Sequence, residues 1–307
     1  MKVLIVGLGS IAKKHIKAIR KIDVHAKIFA LRSGLSNNSV QGVKNINEKE
    51  LELYSFDFAI ISNPTYIHED YIIKFSKKNI PLLIEKPPIH NLDNAKKIMY
   101  QIKDDNIFTY VAFNMRFHPC IIFLKKYLNN NSKKINEVNI YAGSYLPKWR
   151  PGTDYKKSYS SNYNMGGGVH LDLIHELDYC LHLFDKPNDY KSFIEKKSSL
   201  EITSPDYAHY VLNYFSFIAT ITLNYYRPVE KREIEIIFEN DVLLVNLLDC
   251  RITLNENEII FSDNNFDIQN TYFDQMKYFI QQINQKNNHY ENFENSLDVL
   301  KIALGES

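Results

Sequence analysis

The sequence predicts an α/β protein in two parts: a doubly wound parallel sheet over residues 1–118, then an α+β domain over residues 119–307 whose open sheet is mostly antiparallel. Three observations carry this. The first part sets short, continuous apolar runs between amphipathic stretches, the pattern of strands buried on both faces by helices. The second part alternates apolar and polar residues along paired segments joined by short turns, as antiparallel hairpins do. A length of 307 residues also exceeds the ~100–200 typical of one domain.

Taken in order, residues 3–6 form the first strand, and the helix after it is expected to bury Ile11, His15, Ile19 and Ile22 at helical spacing. Residues 27–31 and 58–61 are the next strands. Asn63-Pro64 then turns the chain into a helix marked by Ile67, Tyr71, Ile72 and Phe75. A strand at 81–84, a helix at 94–102 and a strand at 108–113 complete the first domain. Beyond it come a helix at 119–128, a strand at 138–145, an aromatic and basic loop, and one continuous helix at 169–183. Segments 207–215 and 218–226 read as one hairpin, and 233–238 with 242–248 as another around Glu239-Asn240-Asp241. Helices at 273–283 and 293–303 close the chain and are assigned to the second domain.

Composition narrows the function. Hydrophobic residues at 45% and charged residues at 24% exclude a disordered or fibrous chain. A net charge of +1 offers nothing global to nucleic acid or an anionic membrane, so neither is expected as a partner. The charge is uneven, however: residues 1–118 hold 18 Lys+Arg against 11 Asp+Glu, which favours an anionic ligand there. The longest apolar stretch, 210–226, is broken by Asn213, Ser216, Thr220, Thr222 and Asn224 and is too polar to span a bilayer. The N-terminal apolar run is too short for a secretory signal. Cys120, Cys180 and Cys250 form no CxxC and leave an odd thiol, so a reducing cytoplasm and no metal site are expected.

The chain has 10 glycines where average usage of about 7% would give roughly 21. Half of them fall in two clusters. Gly7-Leu8-Gly9-Ser10-Ile11-Ala12 lies between a strand and a helix, as a dinucleotide fingerprint requires: the first glycine turns tightly, the second lets backbone approach a pyrophosphate, and Ala12 allows close packing. The helix N-terminus would then offer amides to the phosphates. An acidic residue about 20 positions on would bind the ribose hydroxyls of NAD. None occurs between Asp23 and Glu48, and the second strand ends at Arg32-Ser33, which suit a 2′-phosphate. NADP is therefore expected over NAD, with NAD possible.

Further motifs are Asn63-Pro64 with His68, then Glu85-Lys86-Pro87, then Asn114-Met115-Arg116-Phe117-His118-Pro119, and the second glycine cluster Gly166-Gly167-Gly168 running on to Asp172 and His175. With these the chain resembles the glucose-fructose oxidoreductase, inositol dehydrogenase and MocA family over nearly its whole length. The resemblance implies an N-terminal Rossmann domain, a C-terminal domain whose open sheet forms a homodimer or homotetramer interface, and hydride transfer between a nicotinamide and a secondary alcohol or ketone. It also implies that Asn63, Pro64, His68, Glu85 and Lys86 contact the cofactor. Lys86 would lie beside the reacting carbon, and Asp172 and His175 would face it.

The chemistry suits those roles. A neutral imidazole at His175 matches the proton acceptor that alcohol oxidation needs. The Lys86 ammonium would stabilise alkoxide character, and Asp172 would orient a hydroxyl or hold that charge. At i and i+3 on one helix, Asp172 and His175 would share a face. Many family members place four positions between the aspartate and histidine, against three here, which leaves His170 as a rival base. His182 reads as structural.

The loop 145–160 holds the only tryptophan among basic and aromatic residues. It resembles a branch of the family tied to surface-sugar and nonulosonic acid synthesis. An anionic or nucleotide-linked sugar is the expected substrate, with Asn114, Arg116, Trp149, Arg150 and Tyr155 among its contacts. A non-catalytic sensor, as in the yeast galactose-regulon repressor that shares the family fold, is disfavoured by the retained Lys86, Asp172 and His175. A biliverdin-reductase-like enzyme would lack the sugar-type aspartate and histidine.

Overall fold

The computed structural model describes residues 1–32, 39–255, 257–285 and 291–306. Its chain divides into two compact units, one of Met1–Asn114 with Ile268–Asp298, the other of Met115–Asp267 with Val299–Ser307.

The first unit is built on a six-stranded parallel sheet. In chain order its elements are β1 (Lys2–Val6), α1 (Ser10–Ile22), β2 (Lys27–Leu31), β3 (Val43–Ile46), β4 (Phe58–Ile61), α2 (His68–Ser76), β5 (Leu82–Ile84), α3 (Ala95–Asp104) and β6 (Thr109–Val111). The strand order is β3-β2-β1-β4-β5-β6, with the direction of winding reversing beside β1. Strands β4, β5 and β6 are buried along their whole length, which is why their runs do not alternate. Helix α1 is amphipathic and buries Ala12, His15, Ile16, Ala18 and Ile19; Ile11 and Ile22 stay at the margin. Strand β3 was not expected, because Lys44 and Asn45 on this edge strand are exposed and leave no apolar run.

The second unit begins with α4 (Pro119–Asn129) and β7 (Ile135–Tyr145). A looped segment comes next, then α5 (Val169–Asp172) and α6 (His175–Phe184). The remaining strands are β8 (Asp189–Glu195), β9 (Tyr207–Asn213), β10 (Ile218–Asn224), β11 (Tyr226–Phe238), β12 (Val242–Asn246), β13 (Arg251–Leu254) and β14 (Glu258–Ser262). They form an eight-stranded sheet, β14-β13-β12-β11-β7-β10-β9-β8, in which only the β7–β10 pair is parallel. Both expected hairpins are present, β9 with β10 and β11 with β12. The outer strands β8, β13 and β14 escaped the sequence reading because they are short or half exposed.

Two expectations change. The domain border was drawn after residue 118 with both closing helices in the second domain, but α7 (Gln269–Asn284) and the first part of α8 (Glu291–Leu304) pack with the first unit. The reason is aromatic: Phe279 of α7 meets Phe58 edge-on at 5.2 Å and Phe108 at 5.6 Å, while Tyr272 packs edge-on against His15 at 5.9 Å. The helix expected at 169–183 is also broken, with Leu173 at φ −100°, ψ 33° between α5 and α6. Asp172 therefore ends one helix and His175 opens the next, and the shared-face spacing argument does not apply.

Candidate functional site

In the first unit, the C-terminal ends of the adjacent strands β1, β4 and β5 carry the glycine turn, Asn63 and Lys86. Gly7 has φ +85°, and a Cβ there would lie 3.1 Å from Ser62 O and Asn63 Cα, so only glycine passes this close to the neighbouring strand end. Gly9 differs: a Cβ would meet nothing within 4 Å. Gly9 also caps α1 with no side-chain bond, and the first turn holds no acid, so the first amides and the positive dipole end are left for an anion. Ser10 is exposed, Ile11 partly so, and Ala12 is fully buried.

Beside this turn, Oδ1 and Nδ2 of Asn63 are shielded from solvent and have no hydrogen-bond partner among the described residues, an arrangement that costs energy unless a ligand completes it. Pro64 opens the short helical turn after it. The open space at Gly9, the bare helix end and the unsatisfied Asn63 amide together fit a dinucleotide. Arg32 succeeds β2, half-buried, with its amide bonded to Ile46 O at 3.0 Å. Ser33 lies outside the described residues.

His68 and Glu85, expected at the cofactor, have protein partners instead. The His68 ring is buried and lies between two carbonyl oxygens, Asn63 O at 2.9 Å from Nε2 and Pro88 O at 3.2 Å from Nδ1. Burial lowers its pKa, so the neutral ring donates to the nearer carbonyl and ties the Asn63 loop to the loop after Lys86. Glu85 is 7% exposed and accepts a hydrogen bond from His15 Nε2 at 2.6 Å, which fixes α1 to the end of β5. Lys86, next in the chain, is partly exposed. The nearby Lys14 ammonium is depressed, first by burial, with Glu85 opposing and Lys86 adding to the shift.

Asn114 has its amide committed within this unit, Nδ2 donating to Thr271 Oγ1 at 2.7 Å. The substrate role expected for it meets a side chain that is 4% exposed and serves to hold α7.

In the second unit, the glycine cluster shapes the approach of residues 159–162 to α5. A Cβ on Gly167 would fall 2.1 Å from Tyr159 O and 2.7 Å from Ser160 O, so this loop closes against bare backbone. That closure sets Tyr159 on Asp172. Tyr159 Oη donates to Oδ1 of Asp172 at 2.7 Å and Tyr225 Oη to Oδ2 at 2.6 Å, and the carboxylate itself is 8% exposed. The Asp172 charge, then burial, holds Tyr159 well above the usual phenol range; for Tyr225 burial leads and Asp172 adds. Each tyrosine therefore stays a donor at any ordinary pH. The sequence pattern puts Tyr159 in the aromatic loop without linking it to Asp172 and carries no signal for Tyr225, whose hydroxyl is set by the strand register of β10 and β11 rather than by a motif.

His175 opens α6 and is 9% exposed. Its rival His170 is 5% exposed and packs on Gly168, where a Cβ would sit 2.5 Å from its ring. Burial pushes the His170 pKa down to about 4, with Asp172 opposing. The imidazole is neutral near pH 7 but a poor proton acceptor. His182 is likewise pushed down to about 4, by burial first and then by Arg116 and Lys125.

Arg116, expected among the substrate contacts, is partly exposed and ion-paired within the unit. Its Nε and Nη2 grip Asp178 of α6 at 2.9 Å and 2.6 Å, and Asp178 is fully buried. Fully buried Glu176, earlier on the same helix, binds Arg232 Nε at 2.6 Å, so two ion pairs anchor α6. Trp149 donates from Nε1 to Ser144 Oγ at 2.9 Å and stands edge-on to Tyr225 at 5.2 Å, and the exposed Arg150 guanidinium lies 5.5 Å above the Tyr159 ring. Trp149 and Arg150 line a small surface dimple together with Tyr155 and Ser160.

A glycine turn from a parallel strand into an uncapped helix, beside an unsatisfied amide at the point where the winding reverses, defines an α/β protein built to bind a dinucleotide. The comparisons agree: residues 1–113 match the family described as "Oxidoreductase family, NAD-binding Rossmann fold" (GFO_IDH_MocA). Over these residues the chain is similar to this family of glucose-fructose oxidoreductases, inositol dehydrogenases and MocA proteins. The scyllo-inositol 2-dehydrogenase (NAD(+)) of Bacillus subtilis (strain 168) is 24% identical over 188 residues, 58% of this chain and 52% of that protein, so the match spans about half the relative's length. Levoglucosan dehydrogenase in complex with NADH shares the fold with a TM-score of 0.85 at 14% identity, over 99% of this chain and 95% of that one. The WlbA dehydrogenase from Bordetella pertussis, in complex with NADH and UDP-GlcNAcA, aligns with a TM-score of 0.79 at 15% identity over 99% and 94% of the chains. Among the described residues no helix is long and apolar enough to cross a membrane.

Proposed function

We propose that this chain is a nicotinamide-dependent dehydrogenase or reductase that interconverts a secondary alcohol and a ketone on a sugar or sugar derivative. The observation that carries the reading is the meeting of the open Gly9 turn, the unsatisfied Asn63 amide and Lys86 at the ends of adjacent strands β1, β4 and β5. The nicotinamide, when bound, supplies or receives the hydride. Lys86 stabilises the alkoxide character of the substrate oxygen, and His175 accepts its proton in the oxidative direction. Asp172, its two oxygens set by Tyr159 and Tyr225, orients a substrate hydroxyl.

The finer reading is an anionic or nucleotide-linked sugar of surface-glycan synthesis, received by Trp149, Arg150 and Tyr155. An exposed guanidinium over an aromatic ring is suited to an anionic group beside a polyol. A UDP-linked sugar acid occupies one structural relative, which favours this class. NADP is the preferred cofactor in this reading, because β2 leads into Arg32 rather than an acidic residue. Location in the cytoplasm and a homodimer or homotetramer complete it. A panel of inositols, hexoses, nucleotide sugars and nonulosonates, monitored by nicotinamide absorbance with NAD and NADP in parallel, tests the whole. Turnover with an acidic or nucleotide-linked sugar and at least about tenfold tighter NADPH than NADH binding is expected. Turnover confined to neutral inositols, or tighter NADH binding, would reject the finer reading.

A further inference from the structure

No spacing among the cysteines reads as a metal motif, and the sequence accordingly predicts no metal site. Folding of the second unit nevertheless gathers two of them with a histidine. His118 caps α4, its Nδ1 accepting from the Cys120 N–H at 3.2 Å, and its Nε2 donates to the Leu247 carbonyl at 3.0 Å. Leu247 and Cys250 lie in the turn between β12 and β13, where Cys250 takes φ +47°. The sulfurs of Cys120 and Cys250 stand 3.7 Å apart, and one ligand atom from each of the three residues lies within 4.8 Å of the others. All three are buried, at 0%, 0% and 1% exposure.

We propose that His118, Cys120 and Cys250 bind a thiophilic divalent cation, zinc in the first instance, which pins the start of α4 to the β12–β13 turn.

Distance favours an ion over a bond between the sulfurs. Two thiolates at ~2.3 Å from a tetrahedral zinc are about 3.75 Å apart, against the observed 3.7 Å. A disulfide needs about 2.05 Å and would draw the two segments together. The histidine is posed as a ligand. With Nε2–H on a backbone carbonyl, the lone pair is at Nδ1, the arrangement by which outer-shell carbonyls orient metal-bound imidazoles. Binding exchanges the helix-cap hydrogen bond of Nδ1 for a coordinate bond.

Charge balance explains how so dry a place would accept an ion. Each thiol gives up one proton as its sulfur binds, so a dication enters, two protons leave, and the three-residue site stays neutral. Among the described residues no carboxylate joins the three ligand atoms, so water completes the coordination. Cys180 has separate surroundings, its sulfur 3.8 Å from Tyr214 Oη, and serves as the internal control.

The test uses the reduced, chelator-treated full chain titrated with Co²⁺ and then Zn²⁺. One Co²⁺ per chain with a thiolate-to-cobalt charge-transfer band, displaced by one Zn²⁺, is expected. Cys120→Ser and Cys250→Ser should each weaken binding by more than about a hundredfold, beyond the loss of an outer-shell partner, while Cys180→Ser binds normally. In case a serine variant unfolds, the wild-type chain offers a second reading: zinc should raise its Tm, and His118→Gln should lessen that rise. Absence of stoichiometric binding, or binding retained without both cysteines, would overturn the proposal. So would loss of two free thiols in air with no cobalt uptake, which would make the pair a redox couple.

Discussion

Arg116 separates a structural role from a substrate role, and its replacement gives each a distinct signature. Arg116→Met keeps the stem and removes the charge that faces fully buried Asp178 at 2.6 Å and 2.9 Å. Breaking a buried pair from one side costs about 3–5 kcal/mol, because the other charge stays desolvated. At ~2–4 °C per kcal/mol for a unit of this size, Tm should fall by roughly 6–20 °C. The loss should depend on pH. Burial already raises the Asp178 pKa while Arg116 opposes the rise, so removing Arg116 raises it further. A carboxyl with a raised folded-state pKa stabilises while protonated and loses that contribution as pH climbs through the folded value. The deficit of the variant should therefore be greatest at neutral and alkaline pH and shrink toward about pH 4, near the unfolded carboxyl value. Adding Asp178→Leu should restore much of the stability at neutral pH. Thermal unfolding of the three proteins across pH checks this; an unchanged Tm with a raised KM for the substrate would refute the ion-pair account and return Arg116 to the ligand.

The glycines give two further expectations. Gly9→Val meets no atom of the fold and Gly9 is already extended, so stability should change by less than about 0.5 kcal/mol, while dinucleotide affinity falls by at least about tenfold in a fluorescence titration. Unchanged affinity would place the pyrophosphate elsewhere. Gly167→Ala puts a methyl 2.1 Å from the Tyr159 carbonyl, beyond the ~1–3 kcal/mol usual for overpacking, and displaces the segment that brings Tyr159 to Asp172. A lower denaturation midpoint together with reduced kcat is expected, and full activity in that variant would count against the Tyr159–Asp172 support.

Local pattern carried the parallel sheet well. Strands β1, β4 and β5 announce themselves because burial on both faces demands unbroken apolar runs, and Gly7 because a positive φ against a strand end leaves no alternative. Packing between distant segments was less legible. Helix α7 looks like any amphipathic helix, and its choice of the first unit depends on Phe279 meeting Phe58 and Phe108. The break at Leu173 lies in a sequence with good helical periodicity, where the glycine-shaped approach of residues 159–162 and the tethering of Asp172 prevail over local preference. Motif reading found Glu85, His68 and Arg116 but not their partners, because a buried polar side chain is defined by what reaches it across the fold. The same holds for His118, Cys120 and Cys250, whose two sulfurs come from positions 130 residues apart.

Lys86→Ala tests the central claim most directly, with turnover and cofactor affinity measured on one preparation. Loss of its charge should lower kcat by at least about a hundredfold, the scale of one transition-state electrostatic contact. The dissociation constant for the dinucleotide should stay within about threefold of the wild type, since Gly7, Gly9 and Asn63 are untouched. A variant that keeps most of its turnover, or a wild-type chain that binds no nicotinamide dinucleotide, would contradict the account.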